Sequence, residues 1–499
     1  MELQFDKSVM PCLRSVIHQV QNLEQTQEVK LTEGMPDIGR ILASWGQLLI
    51  RGKEWRSGGM SVSGGVMAWV LYAPEDGSEP RCMETWLPVQ MKWDFPGTER
   101  DGTICISPLL RSVDARSTSA RKMMVRAGVG ILGQAWISED MELFTPCQVP
   151  EDVQLLKRTY PIQIPKEAGE KAFQLDVDLT LPAAAPALEK IIRYELRPEL
   201  HESKIVSDKL VFRGVAVVHL LYRGTDGQLH SWDFQVPFSQ YATLDREYDI
   251  DVNTQMWFAV TDLELEQGAE ENLTLNAGIT GQYLVYDSPL VEVVEDAYSP
   301  NRSVKLQMSE LSMPSVVDVR SDTVNPERRV ETEPMRVADI SFLPDHPRMH
   351  IDGEKVQAEL SGVFQMLGYD GNDQLQGVLS RWDGDWSMDA SGNVAVQADV
   401  LPVGTPTASP AADSMQLSAQ MRMDSVTMLE SGIPMVTGLD LGEVSEPDPN
   451  RPSLILRTAG EDTLWDVAKT TGSTVAAIQK ANNLKGEPEA NQMLLIPIS

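Results

Sequence analysis

The chain has 499 residues, 42% hydrophobic and 23% charged. That is globular material with room for three or four domains at roughly 150 residues each, not a disordered tail. A formal net charge of -31 argues against nucleic acid, whose phosphates need clustered Lys and Arg, and against adsorption to an anionic membrane.

The acidity reads either as solubility or as attraction to a basic partner. The first residues, "MELQFDKSVM", lack an apolar stretch and predict no secretory signal. No run reaches about 18 apolar residues, so no membrane-spanning helix is expected. Cys12, Cys82, Cys105 and Cys147 are widely spaced and read as free thiols in a reducing cytosol, not as a zinc or redox motif.

A repeat organises the first part of the chain. "GGVMAWVLYAPEDGSE" starts at residue 64 and "GVAVVHLLYRGTDGQL" at 214. Gly64 and Gly214, Tyr72 and Tyr222, and Asp76 and Asp226 are each 150 residues apart. The same offset aligns Pro36 with Pro186, Ile41 with Ile191, and "VRAGV" at 125–129 with "LNAGI" at 275–279. One offset held across about a hundred residues indicates a duplicated unit.

The segment "LVFRGVAVVHLLY" at 210–222 is β-branched and apolar on both alternating faces, the pattern of a central strand. "TDG" is a hairpin turn, and "HSWDFQVPF" at 230–238 is its half-buried return strand. "PALEKIIRYELRPEL" at 186–200 has a partly helical period and predicts one short helix per repeat. Each repeat is expected to be β-sandwich-like. A fainter third copy, "SGVFQMLGYDGNDQL", places Tyr369 before Asp370 and Gly371. It carries "PVGTPTASPAADS" at 402–414, which reads as a flexible loop.

The expected division is repeat one at 1–150, repeat two at 151–300, a connector at 301–335 and a divergent β repeat at 336–443. A Pro-rich linker at 444–453 and a small module at 454–499 follow. In that module the order is strand, helix, helix, strand. Thr463 and Asp466 form a capping box, Gly472 stops the first helix, and Ser473 is expected to cap the second.

No catalytic constellation is legible. Nucleophile-elbow, P-loop and His-Glu-x-x-His patterns are missing from the sequence. His346 and His350 have helical metal-site spacing, but Pro347 lies between them, so no metal is expected. His219, inside an apolar strand, reads as a hydrogen-bonded core residue. No cofactor is implied. Scattered Asp and Glu leave a glycan hydrolase open as a third reading.

The C-terminal residues resemble a LysM domain. Asp462-Thr463-Leu464-Trp465, Val467-Ala468-Lys469, Ala481-Asn482-Asn483-Leu484 and Gln492-Met493-Leu494-Leu495-Ile496-Pro497 follow the family pattern in order. Glu461 is an extra residue after Gly460, and Ala490-Asn491 stands where the family has Pro-Gly. The resemblance implies a groove between Gly460, Glu461, Asp462, Thr463 and Leu464 on one side and Asn482, Asn483, Leu484 and Lys485 on the other. In this family such a groove takes N-acetylglucosamine-containing chains. The plain alternative is that these residues only cap and end helices.

Repeated β domains followed by a LysM are similar to the spore-coat morphogenetic proteins with SPOCS domains, of SipL and SpoVID type. "VEDAYSP" at 294–300 fits that family. The resemblance implies a mainly β chain of three tandem sandwich-like domains and a βααβ LysM. It also implies a non-enzymatic scaffold on the mother-cell, cytoplasmic side of the forespore, binding the coat basement-layer ATPase. The alternative is an envelope protein whose LysM holds peptidoglycan or a glycan precursor.

Overall fold

Gly64 and Gly214 show why the repeat needs a glycine at its start. A Cβ at Gly64 would lie 2.1 Å from the carbonyl oxygen of Leu49, and one at Gly214 would lie 2.0 Å from that of Glu199. Leu49 and Glu199 are themselves 150 residues apart. A computed structural model of the chain describes residues 1–56, 58–95, 101–268, 272–311, 315–352, 355–389, 394–429, 432–445, 452–460, 462–489 and 491–498.

After a short β1 (Glu2–Gln4) come β2 (Asp6–Lys30), β3 (Ile38–Arg56), β4 (Gly59–Pro74), β5 (Arg81–Asp94), β6 (Gly102–Ser119) and β7 (Lys122–Thr145). They form two three-stranded sheets, β3-β4-β5 and β2-β7-β6. β8 (Gln154–Pro161) leads to β9 (Ile164–Thr180), β10 (Leu188–Val206), β11 (Lys209–Gly224), β12 (Leu229–Thr243), β13 (Thr254–Gln267) and β14 (Asn272–Asp287). Their sheets, β10-β11-β12 and β9-β14-β13, repeat the same plan. In each unit the apolar alternation of the two sheets closes a core, around Val66, Val89 and Val129 in the first and Ala216, Val236 and Ile279 in the second.

Two strands, β15 (Leu290–Tyr298) and β16 (Val304–Leu311), precede a third unit. It contains β17 (Ser315–Val324), β18 (Glu327–Glu331), β19 (Arg336–Pro344), β20 (Arg348–Asp352), β21 (Lys355–Tyr369), β22 (Leu375–Asp389), β23 (Val394–Ala411) and β24 (Ser414–Leu429). Here the outer strands are broken in two. β19 and β20 share one side of β21, with β22 opposite, while β17 and β18 share one side of β24, with β23 opposite. β25 (Ile433–Leu441), β26 (Leu454–Thr458), α1 (Leu464–Thr471), α2 (Val475–Asn482) and β27 (Met493–Pro497) complete the chain.

Three expectations are corrected. The helix expected at 186–200 is strand β10. Its register slips between Leu188/Lys190, Ile191/Arg193 and Leu200/Glu202, and each bulge shifts the phase of alternation, which imitates a longer period. β3 slips at Ile38/Arg40, Ile41/Ala43 and Ile50/Gly52, the same places 150 residues earlier. The loop expected at 402–414 is mostly the end of β23, paired with β24. β23 is an edge strand, so Pro402, Pro406 and Pro410 need no ladder N–H on the open side. The connector expected at 301–335 contains β16, β17 and β18.

The tyrosines keep the repeat's geometry. Tyr72 Oη donates to the Pro36 carbonyl at 3.1 Å, and Tyr222 Oη to that of Pro186 at 3.1 Å. Tyr369 departs from this, since its hydroxyl accepts from Leu229 N of the second unit.

The three units touch in a closed cycle. β3 lies against β13, with Gln47 Oε1 accepting from Leu196 N at 2.8 Å. Next, β10 meets β23, where Gly404 N donates to Glu199 Oε1 at 3.0 Å. β19 then packs on β6, and Arg40 Nη1 donates to Gln376 Oε1 at 3.0 Å. One core cluster draws on all three units, with Trp45 and Leu71, Ile192 and Leu221, and Leu367 and Leu375. The strands between units gather elsewhere. β1, β25 and β16 form one sheet and β8 pairs with β15. The amino terminus of Met1 donates to the Leu441 carbonyl at 2.7 Å.

Candidate functional site

The C-terminal module is built from its caps. Thr463 Oγ1 accepts from Asp466 N at 3.2 Å while Thr463 N donates to Asp466 Oδ2 at 3.2 Å, a closed capping box on α1. The Thr463 hydroxyl, which donates to Asp466 Oδ2 at 2.6 Å, and then the Thr463 N–H hold the Asp466 carboxyl below its usual range. Gly472 takes φ of 69° and ends the helix. The cap of α2 is Thr474, which accepts from Ala477 N, and not Ser473 as expected. Ser473 is fully buried, with its hydroxyl on the Pro497 carbonyl, so it is spent on the core. Leu464, Val467, Ala468, Ile478, Leu494 and Ile496 are that core.

The expected groove residues have different duties. Gly460 is exposed with open space where a Cβ would be. Glu461 lies outside the described residues. Asp462 pairs with Arg457, and Thr463 is the cap of α1. Leu464 is buried, at 1% exposure. Asn482 Nδ2 donates to the carbonyls of Ile478 and Leu495, at 2.8 and 2.6 Å, and its Oδ1 accepts from Leu495 N at 2.7 Å. It therefore ties α2 to β27. Asn483 ends α2 with φ of 52°, Leu484 is half-buried against the core, and Lys485 is exposed.

One residue that spacing did not point to joins the two loops. Glu487 Oε2 accepts from Leu464 N at 2.8 Å. A carboxylate at the start of α1 suits the free N–H groups and the helix dipole there. It also occupies the backbone donor of Leu464, one of the expected groove residues. Of the expected groove residues that the structure describes, Gly460, Asp462, Thr463, Asn483 and Lys485 are exposed.

The module is docked on the strand layer. Trp465 Nε1 donates to Asp296 Oδ2 at 2.8 Å, and Lys469 Nζ reaches Asp296 Oδ2 at 2.7 Å. Tyr298 Oη donates to the Ser473 carbonyl at 3.0 Å, and its ring meets that of Trp465 edge-on at 4.7 Å between centroids. Tyr298 is 5% exposed, and burial pushes its phenol up to about 12. Asp296 and Tyr298 belong to the "VEDAYSP" stretch, but nothing in their spacing tells that α1 sits on them.

A model of the family described as SipL, SPOCS domain matches residues 187–267, and a model of the LysM domain matches 460–497. The chain carries a SipL-type SPOCS domain and a LysM domain. The SPOCS match covers β10 to β13, with Tyr222 and the Asp226-Gly227 turn inside it. Both are non-catalytic binding families, and together they fit a sporulation, coat-associated LysM protein. No curated protein and no solved structure matches the chain. No helix among the described residues is long and apolar enough to cross a membrane.

The histidines singled out in the sequence part company. His346 is buried against Asp399, Nδ1 to Oδ1 at 2.9 Å, while His350 on β20 faces Gln357 on β21. His219 bridges Asp233 and Asp339, at 2.5 and 2.8 Å, and Asp339 also holds the fully buried Arg193 at 2.9 Å. This ionic cluster fastens the second unit to the third.

Proposed function

We propose that the chain is a non-enzymatic scaffold of spore-coat assembly, dividing into the three β domains, linker and LysM expected from its sequence. Its LysM and β repeats bind a protein of the coat basement layer, the ATPase of the SipL-type resemblance, on the mother-cell side of the forespore. The observation that carries this reading is the LysM itself. It is anchored on β15 through Trp465, Lys469 and Ser473, and its rim of Gly460, Asp462, Asn483 and Lys485 remains exposed. A docked module presents a binding edge at low entropic cost, and tandem β units add avidity. Contacts from the expected groove residues, Glu461, Thr463 and Leu464 facing Asn482 and Leu484, would add to that edge.

The Glu487 carboxylate on Leu464 N favours a protein partner over glycan, because a backbone donor that a sugar could use is already taken. Capture from sporulating-cell extract by the full chain, and by a chain ending before residue 454, tests the reading. Loss of the basement-layer ATPase on truncation supports it. Retention of that ATPase together with loss of peptidoglycan sedimentation would favour the glycan reading instead.

A further inference from the structure

The outer strands of the three units differ at one row. In the first unit Leu49, Gly65 and Pro88 stand side by side across β3, β4 and β5. In the second the row is Glu199, Val215 and Pro237, across β10, β11 and β12. In the third it is Leu343, Val363 and Arg381, across β19, β21 and β22. The rows correspond through the glycine that precedes each middle residue. A Cβ on Gly64, Gly214 or Gly362 would lie 2.1, 2.0 or 2.9 Å from the carbonyl oxygen of Leu49, Glu199 or Leu343. A proline fits an edge strand where the N–H side faces outward, and it leaves no donor there, so β5 and β12 are blunted in mid-strand. β22 contains no proline. By the same register the Arg381 N–H points outward.

Arg40 of the first unit reaches the Leu375 carbonyl at 3.1 Å and so covers the start of β22. From Val378 to Asp389 the strand pairs with β21 alone among the described residues. Arg328 of β18 donates to the Ser380 hydroxyl at 3.2 Å, a side-chain contact rather than a ladder bond. The side chains of β22 alternate. Arg381, Asp383 and Asp385 are exposed on one face, and Trp382 and Trp386 are half-buried on the other. Arg381 and Asp383 neutralise each other at 2.8 Å. Asp385 stands directly opposite Glu359, both exposed, and two carboxylates so placed repel. A cation on a strand added beside β22 would sit next to Asp385 and relieve that repulsion. Apolar residues at the alternate positions would meet Trp382 and Trp386. An acidic strand is rejected by the same carboxylates, and a second copy of the chain would bring its own net charge of -31 against this one.

We propose that the outer edge of β22 docks an extended segment of a partner protein that alternates Lys or Arg with apolar residues, added to the sheet by main-chain pairing. The site is separate from the LysM module and does not rest on the function proposed above. The test is fluorescence anisotropy of the full chain with a labelled synthetic peptide that alternates Lys and Val, beside its Glu-for-Lys counterpart. Saturable binding of the Lys peptide is expected, and none of the Glu peptide. Arg381→Pro installs the residue that the first two units carry at this row, and should weaken binding at least about tenfold, the loss of a ladder hydrogen bond or two. Arg381→Ala removes a repelling cation and should bind at least as well as the parent, which separates the ladder from the charge. Asp385→Asn should weaken binding about two- to fivefold, and less at high salt. Should Arg381→Pro fail to fold by circular dichroism, amide hydrogen exchange of the parent chain decides, since the Lys peptide should slow exchange in β22 and not in β5 or β12. No saturable binding, equal binding of the Glu peptide, binding that Arg381→Pro leaves unchanged, or equal weakening by Arg381→Ala overturns the proposal. So does a dimer in sedimentation that Arg381→Pro abolishes, which would give the edge to a second copy.

Discussion

Asp296 on β15 and Trp465 on α1 stand 169 residues apart in sequence, and the indole N–H of one donates to the carboxylate of the other at 2.8 Å. Lys469 shares that carboxylate. Asp296→Ala removes an acceptor for both, and a hydrogen bond to a charged group contributes about 1.5–3 kcal/mol. The partly exposed Lys469 pair adds little. The variant should lose most of the docking energy without loss of β-sheet circular dichroism. Hydrogen exchange at α1 should rise and Trp465 emission should shift to the red. Asp296→Asn, which still accepts, should lie between. An unchanged exchange pattern in Asp296→Ala would refute docking through this residue.

The ionic cluster at the junction of units two and three sets a pH window. Burial and Arg193 push the His219 imidazole down, but Asp339 and Asp233 outweigh them and hold it at about 9, above its ordinary 6.5. Asp339 opposes burial with Arg193 and His219 and is held at about 2, below 3.8. His219 therefore contributes fully below pH 6.5 and loses its contribution as pH rises through 9. Asp339 contributes above 3.8 and loses its contribution as pH falls toward 2. Urea midpoints should fall from pH 6.5 to 9.5, and His219→Gln should flatten that alkaline slope. An equal slope in the variant would remove His219 from the account.

Tyr72 and Tyr222 make the same bond to Pro36 and Pro186. Tyr72→Phe and Tyr222→Phe should each cost about 1 kcal/mol by urea unfolding, the ordinary loss for one hydrogen bond. Tyr369→Phe removes an acceptor for Leu229 N and should loosen the contact between units two and three rather than one unit alone.

Gly64→Ala and Gly214→Ala drive a methyl into a backbone carbonyl at 2.1 and 2.0 Å. The strands must part, at a cost of about 1–3 kcal/mol or more. Both should lower the melting temperature more than Gly77→Ala. That residue has φ of 73°, with nothing within 4 Å of an added Cβ, and its substitution bears only the backbone penalty.

Glu487→Ala frees Leu464 N. The full chain should lose about 1 kcal/mol of LysM stability and bind chitin oligomers more tightly by isothermal titration. Glu487→Gln retains an acceptor and should behave like the parent. Weaker chitin binding in Glu487→Ala would mean that the carboxylate helps the sugar rather than competing with it.

The duplication was legible because its determinants are local. A glycine under a carbonyl, a tyrosine before an Asx turn and three bulges recur at one spacing. The bulges also caused the error at 186–200, since they break the alternation by which strands are recognised. The caps at Thr463 and Gly472 could be read for the same reason. Asp296, Tyr298 and Glu487 could not, because their partners are set by the meeting of surfaces far apart in the chain. The buried set of Arg193, His219 and Asp339 is a further case, since three separate strands place its members.

The cycle formed by β3 on β13, β10 on β23 and β19 on β6 has a consequence for growth. Head-to-tail contacts of one kind either propagate without limit or return to their start. Here the third subunit-like block returns to the first, so each such surface is consumed within one polypeptide. Among the described residues no copy of this contact is left over to recruit a neighbour. Polymerisation along it is thermodynamically capped, and any larger assembly of this chain must gain its valency from other surfaces, such as the outer strand edges.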